Sequence, residues 1–297
     1  MTLRVHRPTT LDEFLGLCGE FLAAREAEHN LIFGIASAIR ATPELFGDEP
    51  PMFAVVTAGD GSVVAASLRT PPHNQVLSQV DDPAAVDALV EALASEPLPG
   101  VLAPAEVAGE FVARFGRRTG RRSRLEVAER IFRLQRVTHP GRPAAGGWRI
   151  AEPRDRELVA SWLQAFLAEA LPGQPSPGEP LELADRWIAR RHRLLYLWED
   201  HGAVVSLVGA GAETPHGIRI GPVYTPPSER GRGYATSLTA AASTDQLARG
   251  RRFCFLFTDL ANPTSNRIYR SIGYEAVCDM DMYRFEDQPA ELPGGAR

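Results

Sequence analysis

The most constraining stretch of the sequence is 224–235, which reads YTPPSERGRGYA. The apolar run IRIGPVY leads into it and the alanine-rich run YATSLTAAASTDQLARG leads out, so the pattern predicts a strand, a glycine turn and a helix. Gly231 and Gly233 let the backbone approach a ligand closely, and the free N–H groups of the first helical turn can bind an anion such as phosphate. A strand-to-helix turn that binds no ligand would show the same pattern.

Composition excludes several classes of function. With 297 residues and 44% hydrophobic residues, the chain is long enough for two domains with buried cores. The net charge of −5 gives no reason to expect a nucleic-acid partner, and the arginine run GRRTGRRSR at 116–124 is interpreted as a solvated loop. No run approaches the roughly 18 apolar residues of a membrane span, and the N-terminus lacks a signal-peptide pattern. We therefore expect a cytoplasmic protein without a membrane or nucleic-acid partner.

Lysine, metal and disulfide chemistry are disfavoured as well. All 32 residues counted as Lys+Arg are arginine, so the chain offers no lysine for a phosphate-binding P-loop or a Schiff base. The three cysteines, Cys18, Cys254 and Cys278, have no CxxC spacing, and the seven histidines have no paired spacing. We expect no metal site, and the apolar contexts of the cysteines predict buried, inert thiols.

The two halves of the chain share a pattern. RIAEPRDRELVASWLQAFLAEA, from Arg149, aligns with RVHRPTTLDEFLGLCGEFLAAR, from Arg4, as a strand, a proline and a capped helix. We predict an α/β (α+β) fold with two mixed sheets flanked by helices. The predicted limits are a first domain at 1–138, a linker at 139–147, a second domain at 148–286 and a disordered tail at 287–297.

Three segments carry more specific expectations. The charge spacing at the start of 124–137 is helix-like, and its end, IFRLQRV, alternates like a strand. The Pro/Gly-rich segment 171–180 is predicted to be a mobile loop beside the site. The apolar run FCFLFT at 253–258 predicts a strand buried on both faces of a sheet.

A second polar motif lies at 262–274, NPTSNRIYRSIGY. Helical spacing places Asn262, Ser265 or Asn266, and Tyr269 on one face. A phenol at the end of this stripe could donate a proton to a leaving group. Taken alone, Asn262 could only cap the helix, Asn266 could only face solvent, and Tyr269 could pack with its hydroxyl satisfied.

Together the two motifs resemble the GNAT superfamily of acyl-CoA-dependent N-acyltransferases. The resemblance rests on Arg230-Gly231-Arg232-Gly233-Tyr234-Ala235, which fits the Arg/Gln-x-x-Gly-x-Gly/Ala turn of that family, and on Asn262 followed by Tyr269 and Gly273-Tyr274. It covers 149–285. The first half lacks both motifs and is interpreted as a degenerate GNAT-like domain that shapes the acceptor cleft or only stabilises the second domain.

The resemblance implies a role for each matching residue. The backbone N–H groups of Arg230, Gly231, Arg232, Gly233, Tyr234 and Ala235 would hold the pyrophosphate of CoA. Val223, Tyr224 and Thr225 would pair with the pantetheine arm. Asn262 would contact the pantetheine or order the site, and Tyr269 would protonate the departing thiolate. The reaction would transfer an acetyl group directly from acetyl-CoA to an amine of a small molecule or peptide, without a metal.

The acceptor half of the site is less defined. The family does not fix the general base; Asp259 is the first candidate and Glu199 the second, and water with a remote base is the alternative. Trp162, Phe166, Trp198 and Asp259 would suit a cationic amine. The leading hypothesis is an N-acetyltransferase, and the alternative is a CoA-binding regulatory or scaffold protein that transfers nothing. A nucleotide-binding protein is disfavoured because the lysine and a Rossmann-type opening are missing.

Overall fold

The structure, a computed structural model, describes residues 2–41, 49–170, 178–190 and 192–286. It divides into two compact units. Unit 1 contains Met1–Ile32, Thr42–Arg130 and Cys278–Arg297, and unit 2 contains Phe33–Ala41 and Ile131–Val277. Each unit therefore includes a segment from the other half of the sequence, and the domain limits at 138 and 148 stay a prediction. The tail 287–297 and residues 171–177 of the predicted loop lie outside the described residues.

The elements of the first half occur in a fixed order. They are β1 (Leu3–His6), α1 (Leu11–Ala24), α2 (Asn30–Ala41), β2 (Met52–Ala58), β3 (Val63–Arg69), β4 (Gln75–Leu77), α3 (Pro83–Leu93), β5 (Gly100–Pro104), α4 (Ala105–Thr119) and β6 (Ser123–Leu134).

The second half repeats that order of strands and α-helices. Its elements are β7 (Gly147–Ile150), α5 (Arg156–Ala170), α6 (Pro180–Ile188), β8 (Leu194–Asp200), β9 (Ala203–Glu213), β10 (Gly217–Tyr224), α7 (Tyr234–Ala248), β11 (Phe253–Asp259), α8 (Pro263–Ile272) and β12 (Glu275–Phe285). The repeat confirms the predicted tandem α/β architecture.

In unit 1 the strand order is β1-β2-β3-β4-β5-β12-β6. β4 runs parallel to β5, with Val76 opposite Leu102, and β12 runs antiparallel to β5, with Met282 opposite the same residue. Helices α3 and α4 cover one face through buried side chains such as Leu89 and Phe111. The last strand of the sequence therefore completes the sheet of the first unit.

In unit 2 the strand order is β6-β11-β10-β9-β8-β7. β8, β9 and β10 form an antiparallel meander, and β11 runs parallel to β10. One face of this sheet packs on α7 through Leu238 and Cys254, and the other packs on α5 and α6 through Leu163 and Leu207. Cys254, Phe255 and Leu256 are all buried, which confirms that FCFLFT is a strand covered on both faces.

The helix-like start predicted for 124–137 is wrong, because β6 is extended from Ser123 to Leu134. Its charged residues form ion pairs with β12 instead of pairing along a helix: Arg130 bonds Asp279 through two contacts of 2.6 and 2.8 Å, and Arg284 bonds Glu126 at 2.9 Å. Glu126 and Arg130 are four positions apart, and residues at this spacing share a face in a strand as well as in a helix.

The structure also describes the arginine run and the predicted linker. The run 116–124, predicted as a solvated loop, forms the last turn of α4 and the start of β6, because Gly120 ends the helix at a φ of 75°. The segment 139–147, predicted as a linker, is bonded to unit 2: Trp198 Nε1 donates to Ala145 O at 2.7 Å, and Ala144 N donates to Ser237 Oγ at 2.9 Å.

Two features are absent from the described residues. None of the helices in the described ranges is both long and apolar enough to cross a membrane. Nor does any group of three or more His, Cys, Asp or Glu side chains in these ranges have an arrangement that could hold a metal ion.

A buried histidine makes unit 1 sensitive to acid. His29 is 1% exposed; its Nδ1–H donates to Leu22 O at 3.0 Å, and its Nε2 accepts from the backbone N–H of Gln79 at 3.0 Å. Burial lowers the pKa of His29 to about 4. The unfolded chain binds a proton near pH 6.5 and the folded chain does so near pH 4, so this stabilisation is present above pH 6.5 and is lost as the pH falls toward 4.

We expect this histidine to lower the free energy of unfolding by about 3 kcal/mol between pH 7 and pH 4. Carboxylates also titrate in this range, so the measurement is the difference between the wild type and His29→Gln in urea unfolding at pH 7, 5.5 and 4.5. The variant should be less stable at pH 7 and lose less stability on acidification. An equal loss in both proteins would contradict the assignment.

Candidate functional site

The site begins where β10 and β11 separate. Their ladder pairs Gly217, Ile218 and Arg219 with Phe253, Cys254 and Phe255, and it ends there within the described residues. A register shift between Ile220 and Val223 interrupts the pairing of β10 with β9, after which Val223 and Tyr224 face Val208 and Leu207. On its opposite edge, no described strand pairs with the last residues of β10. That edge is open to an extended ligand.

Buried hydroxyl groups fix the end of β10. Ser206, which is fully buried, donates to Tyr224 O at 3.1 Å and therefore accepts from the Thr225 hydroxyl at 2.9 Å. Trp162 of α5 packs against the Tyr224 ring with 5.9 Å between ring centroids. The predicted pantetheine-binding residues Val223, Tyr224 and Thr225 are thus held by β9 and α5.

Arg230 has a structural role in the turn that follows. Its Nε donates to Thr225 O at 2.9 Å, its Nη2 contacts both carboxylate oxygens of Glu169 at 3.0 and 2.7 Å, and its guanidinium lies 5.9 Å from the centre of the Tyr224 ring. The side chain is therefore engaged by the protein. Its backbone N–H group donates to Pro227 O at 3.4 Å, a long hydrogen bond that a phosphate would have to replace.

The two glycines adopt the conformation that this residue type allows. Gly231 and Gly233 have φ values of 81° and 82°, in the left-handed region. A Cβ added at Gly231 would meet no atom within 4 Å, and one added at Gly233 would meet Ala144 Cβ at 4.0 Å, so the space beside both is open. Arg232 is exposed and pairs with Glu229 at 3.0 Å.

Helix α7 begins directly after these glycines. Gly233 is the N-cap and has no side chain to satisfy the first N–H groups of the helix. Tyr234 is buried and its hydroxyl donates to Asp200 at 2.5 Å, which fixes the first turn against β8, and Ala235 is half-buried. The positive end of the helix dipole, the N–H groups of the first turn and the open space are features that allow a helix start to bind an anion.

Two asparagines connect β11 to α8. Asn262 caps the helix by accepting from Ser265 N at 3.0 Å. Asn266 donates from Nδ2 to Asp259 O at 3.0 Å and to Asn262 O at 2.8 Å, so it binds the protein instead of facing solvent. Two carbonyl acceptors fix its amide orientation, which leaves Oδ1 buried without a hydrogen-bond partner in the described part of the chain. Nothing in the sequence pattern indicates this arrangement.

Tyr269 is a neutral phenol with a free hydroxyl. It is 7% exposed and packs against Phe132 and Tyr274 at centroid distances of 6.4 and 6.0 Å. Burial raises the pKa of Tyr269 to about 12. Its hydroxyl has no hydrogen-bond partner among the described residues, and it belongs to the same hydrophobic cluster as Tyr234 and Val223. Tyr269 thus offers a neutral proton donor on the α7 face of the sheet.

The two candidate bases have different surroundings. Asp259 is exposed, and its Oδ1 accepts from Ala261 N at 2.7 Å. Glu199 accepts from Arg149 Nε at 2.8 Å. The carboxylate of Asp259 closes the turn after β11, and its other oxygen has no hydrogen-bond partner among the described residues. Glu199, in contrast, is part of an ion-pair network with Arg149 and Asp155.

The aromatic candidates do not lie together. Trp162 and Phe166 belong to the cluster on the α5 face of the sheet, with Tyr224. Trp198 is buried in the cluster on the α7 face. Trp162 therefore lies beside β10 on the α5 face of the sheet, whereas Trp198 lies on the α7 face.

The corresponding helix of the first half begins with carboxylates instead of glycines. Helix α3 has Asp82 as its N-cap, which accepts from Ala84 N at 2.9 Å. The neighbouring Asp81 forms two hydrogen bonds with Arg25, at 2.9 and 2.7 Å. Carboxylates thus stand where α7 has glycine and free N–H groups.

Comparison with protein families decides the class of the second half. Residues 159–274 match the model of the acetyltransferase (GNAT) family. The C-terminal half is a GNAT acetyltransferase domain. The protein is therefore an acyltransferase. A search of curated proteins gave no match.

Solved structures show that the GNAT fold extends over both halves. A Drosophila protein covers 96% of this chain and 98% of its own, with a TM-score of 0.65 and 15% identity. A tandem GNAT protein from the clavulanic acid biosynthesis pathway covers 98% and 100%, with a TM-score of 0.58 and 15% identity. A GCN5-related N-acetyltransferase from Sphaerobacter thermophilus covers 95% of both chains, with a TM-score of 0.54 and 19% identity. The first half is thus GNAT-like in fold.

Proposed function

We propose that the protein transfers an acetyl group from acetyl-CoA to an amine and that its second half carries the CoA site. The observation that supports this most is the start of α7, where two left-handed glycines and a side-chain-free N-cap leave an open anion site next to the unpaired edge of β10. A pyrophosphate would fit the start of α7, and the amide groups of pantetheine would fit the edge of β10.

In this proposal the backbone N–H groups from Arg230 to Ala235 hold the pyrophosphate, and Val223, Tyr224 and Thr225 pair with the pantetheine. The nitrogen lone pair of the amine attacks the thioester carbonyl, the C–N bond forms and the C–S bond breaks. Tyr269 gives its proton to the leaving sulfur and regains one from solvent. The amine proton passes to Asp259, directly or through water.

The first half supports this assignment by contrast. Asp81 and Asp82 at the start of α3 would repel a phosphate, and the N-cap of α3 is already occupied by its own carboxylate. We therefore propose one acetyl-CoA per chain. The alternative function, a CoA-binding scaffold, is opposed by the free hydroxyl of Tyr269, since a scaffold needs no proton donor there.

The experiment has two stages. Calorimetry with CoA should give saturable binding with a stoichiometry of one. Acetyl-CoA is then incubated with a panel of primary amines and peptides, and thiol release and the acetylated product are measured. Binding followed by amine-dependent release supports the proposal. Binding without release by any amine supports the scaffold, and absence of binding contradicts both.

A further inference from the structure

Unit 2 contains a second concave site, on the side of α7 that faces β7 and β8. Its cavity has a volume of about 480 Å³ and is lined by Trp148, Trp198, Ala240, Ala241, Thr244 and Asp245, together with residues of the 139–143 segment. The proposed acetyl transfer uses none of these six side chains. The cavity therefore requires an explanation of its own.

Aromatic rings form one wall of the cavity. Trp148 on β7 is directly opposite Trp198 on β8, so both side chains project from the same face of the sheet. The hydrogen bond from Trp198 Nε1 to Ala145 O fixes one indole, and the Trp148 ring lies 5.5 Å from that of Tyr196. On the α7 side, the alanines are too small to fill the space between helix and sheet.

A fixed carboxylate provides the polar group. Both the Tyr196 hydroxyl, at 2.5 Å, and Arg249 Nε, at 2.6 Å, donate to Oδ2 of Asp245. Gln246 in turn donates to the Tyr196 hydroxyl at 2.7 Å. Asp245 Oδ1 has no hydrogen-bond partner in the part of the chain that the structure describes. The carboxylate is held in place and keeps one acceptor oxygen for a ligand.

We propose that this cavity binds a small organic ammonium ion with an apolar body. Indole faces attract a cation, and the free oxygen of Asp245 can accept a charge-assisted hydrogen bond from an ammonium N–H group. Arg249 offsets part of the carboxylate charge, but its side chain is 52% exposed, so solvent screens that pair. The apolar body of the ligand replaces water against Trp148, Ala240 and Ala241.

The test compares two probes of nearly equal shape, benzylammonium and benzyl alcohol, by calorimetry at pH 7. The ammonium ion should bind at least about tenfold more tightly than the alcohol, because only it forms a charge-assisted bond. Asp245→Asn should reduce ammonium binding about tenfold and leave alcohol binding unchanged. Thr244→Leu places a larger side chain at an exposed position that lines the cavity, so it should abolish binding of both probes. Trp148→Phe should retain most of the binding.

An amine could also occupy the acceptor cleft, so the site of binding is identified from the NMR signals of the four tryptophan indoles. The indole N–H resonances of Trp148 and Trp198 should shift on titration with benzylammonium, and those of Trp162 and Trp187 should not. Thr244→Leu should remove the shifts while CoA binding stays unchanged, which separates this site from the proposed function. Equal affinity for the alcohol, or shifts confined to Trp162, would overturn the proposal.

Discussion

Gly233→Val is expected to weaken CoA binding at least about a hundredfold while the protein stays folded. Valine is strongly disfavoured at a φ of 82°, so the turn must rearrange and its N–H groups lose their convergence on the phosphate position. In the free protein an added Cβ meets only Ala144 Cβ at 4.0 Å. The substitution therefore costs roughly 1–2 kcal/mol of conformational strain without a large clash.

Gly250→Val is the matched control. Gly250 follows the other end of α7, has a φ of 95°, and an added Cβ there would meet no atom within 4 Å. Both variants should lose a similar amount of stability in thermal unfolding, but only Gly233→Val should lose CoA affinity in calorimetry. Unchanged affinity in a folded Gly233→Val protein would show that the phosphate binds elsewhere.

The backbone geometry of the proposed CoA site could be predicted from the sequence because its determinants are local. The glycine conformations, the helix start after Gly233 and the cap at Asn262 each depend on a few consecutive residues. The repeat of strand and helix patterns in the two halves likewise depends on periodicity within single elements. Turn, cap and periodicity patterns within a few consecutive residues are sufficient to predict these elements.

Features that depend on distant residues could not be predicted. Arg230 is bonded by Glu169 of α5, which lies 61 positions earlier, and no sequence pattern connects them. The charges of β6 looked helical because their partners, Asp279 and Arg284, lie on β12 at the end of the chain. Trp198 and Trp162 looked equivalent as acceptor candidates because a sequence does not show which face of the sheet each side chain reaches.

Tyr269→Phe is expected to lower the rate of acetyl transfer about 10²- to 10³-fold and to leave the CoA dissociation constant within about threefold. The hydroxyl has no hydrogen-bond partner among the described residues, so its loss removes the proposed donor to the leaving sulfur and little else. Burial disfavours the thiolate as well as the phenolate, so the departing sulfur takes up a proton more readily in such a site than in water.

Tyr274→Phe is the control for Tyr269→Phe, because it removes a hydroxyl that serves packing and not the proposed proton transfer. Tyr274 is also buried, and its ring centroid lies 6.0 Å from that of Tyr269, but its hydroxyl bonds Ser243 Oγ at 2.8 Å. Because Ser243 already donates to Thr239 O, Tyr274 is the donor in this bond. Tyr274→Phe should therefore cost about 1 kcal/mol of stability and leave the rate of transfer unchanged, the reverse of Tyr269→Phe.

The pH dependence gives an independent readout of the same residue. An ordinary tyrosine ionises near pH 10, whereas burial raises the pKa of Tyr269 to about 12, so the phenol keeps its proton through pH 10.5. The ratio of wild-type to Tyr269→Phe rates, measured in single turnovers from pH 7 to 10.5, should stay constant. A ratio that falls toward one near pH 10 would mean that Tyr269 titrates as an exposed phenol, and equal rates at pH 7 would remove it from the reaction.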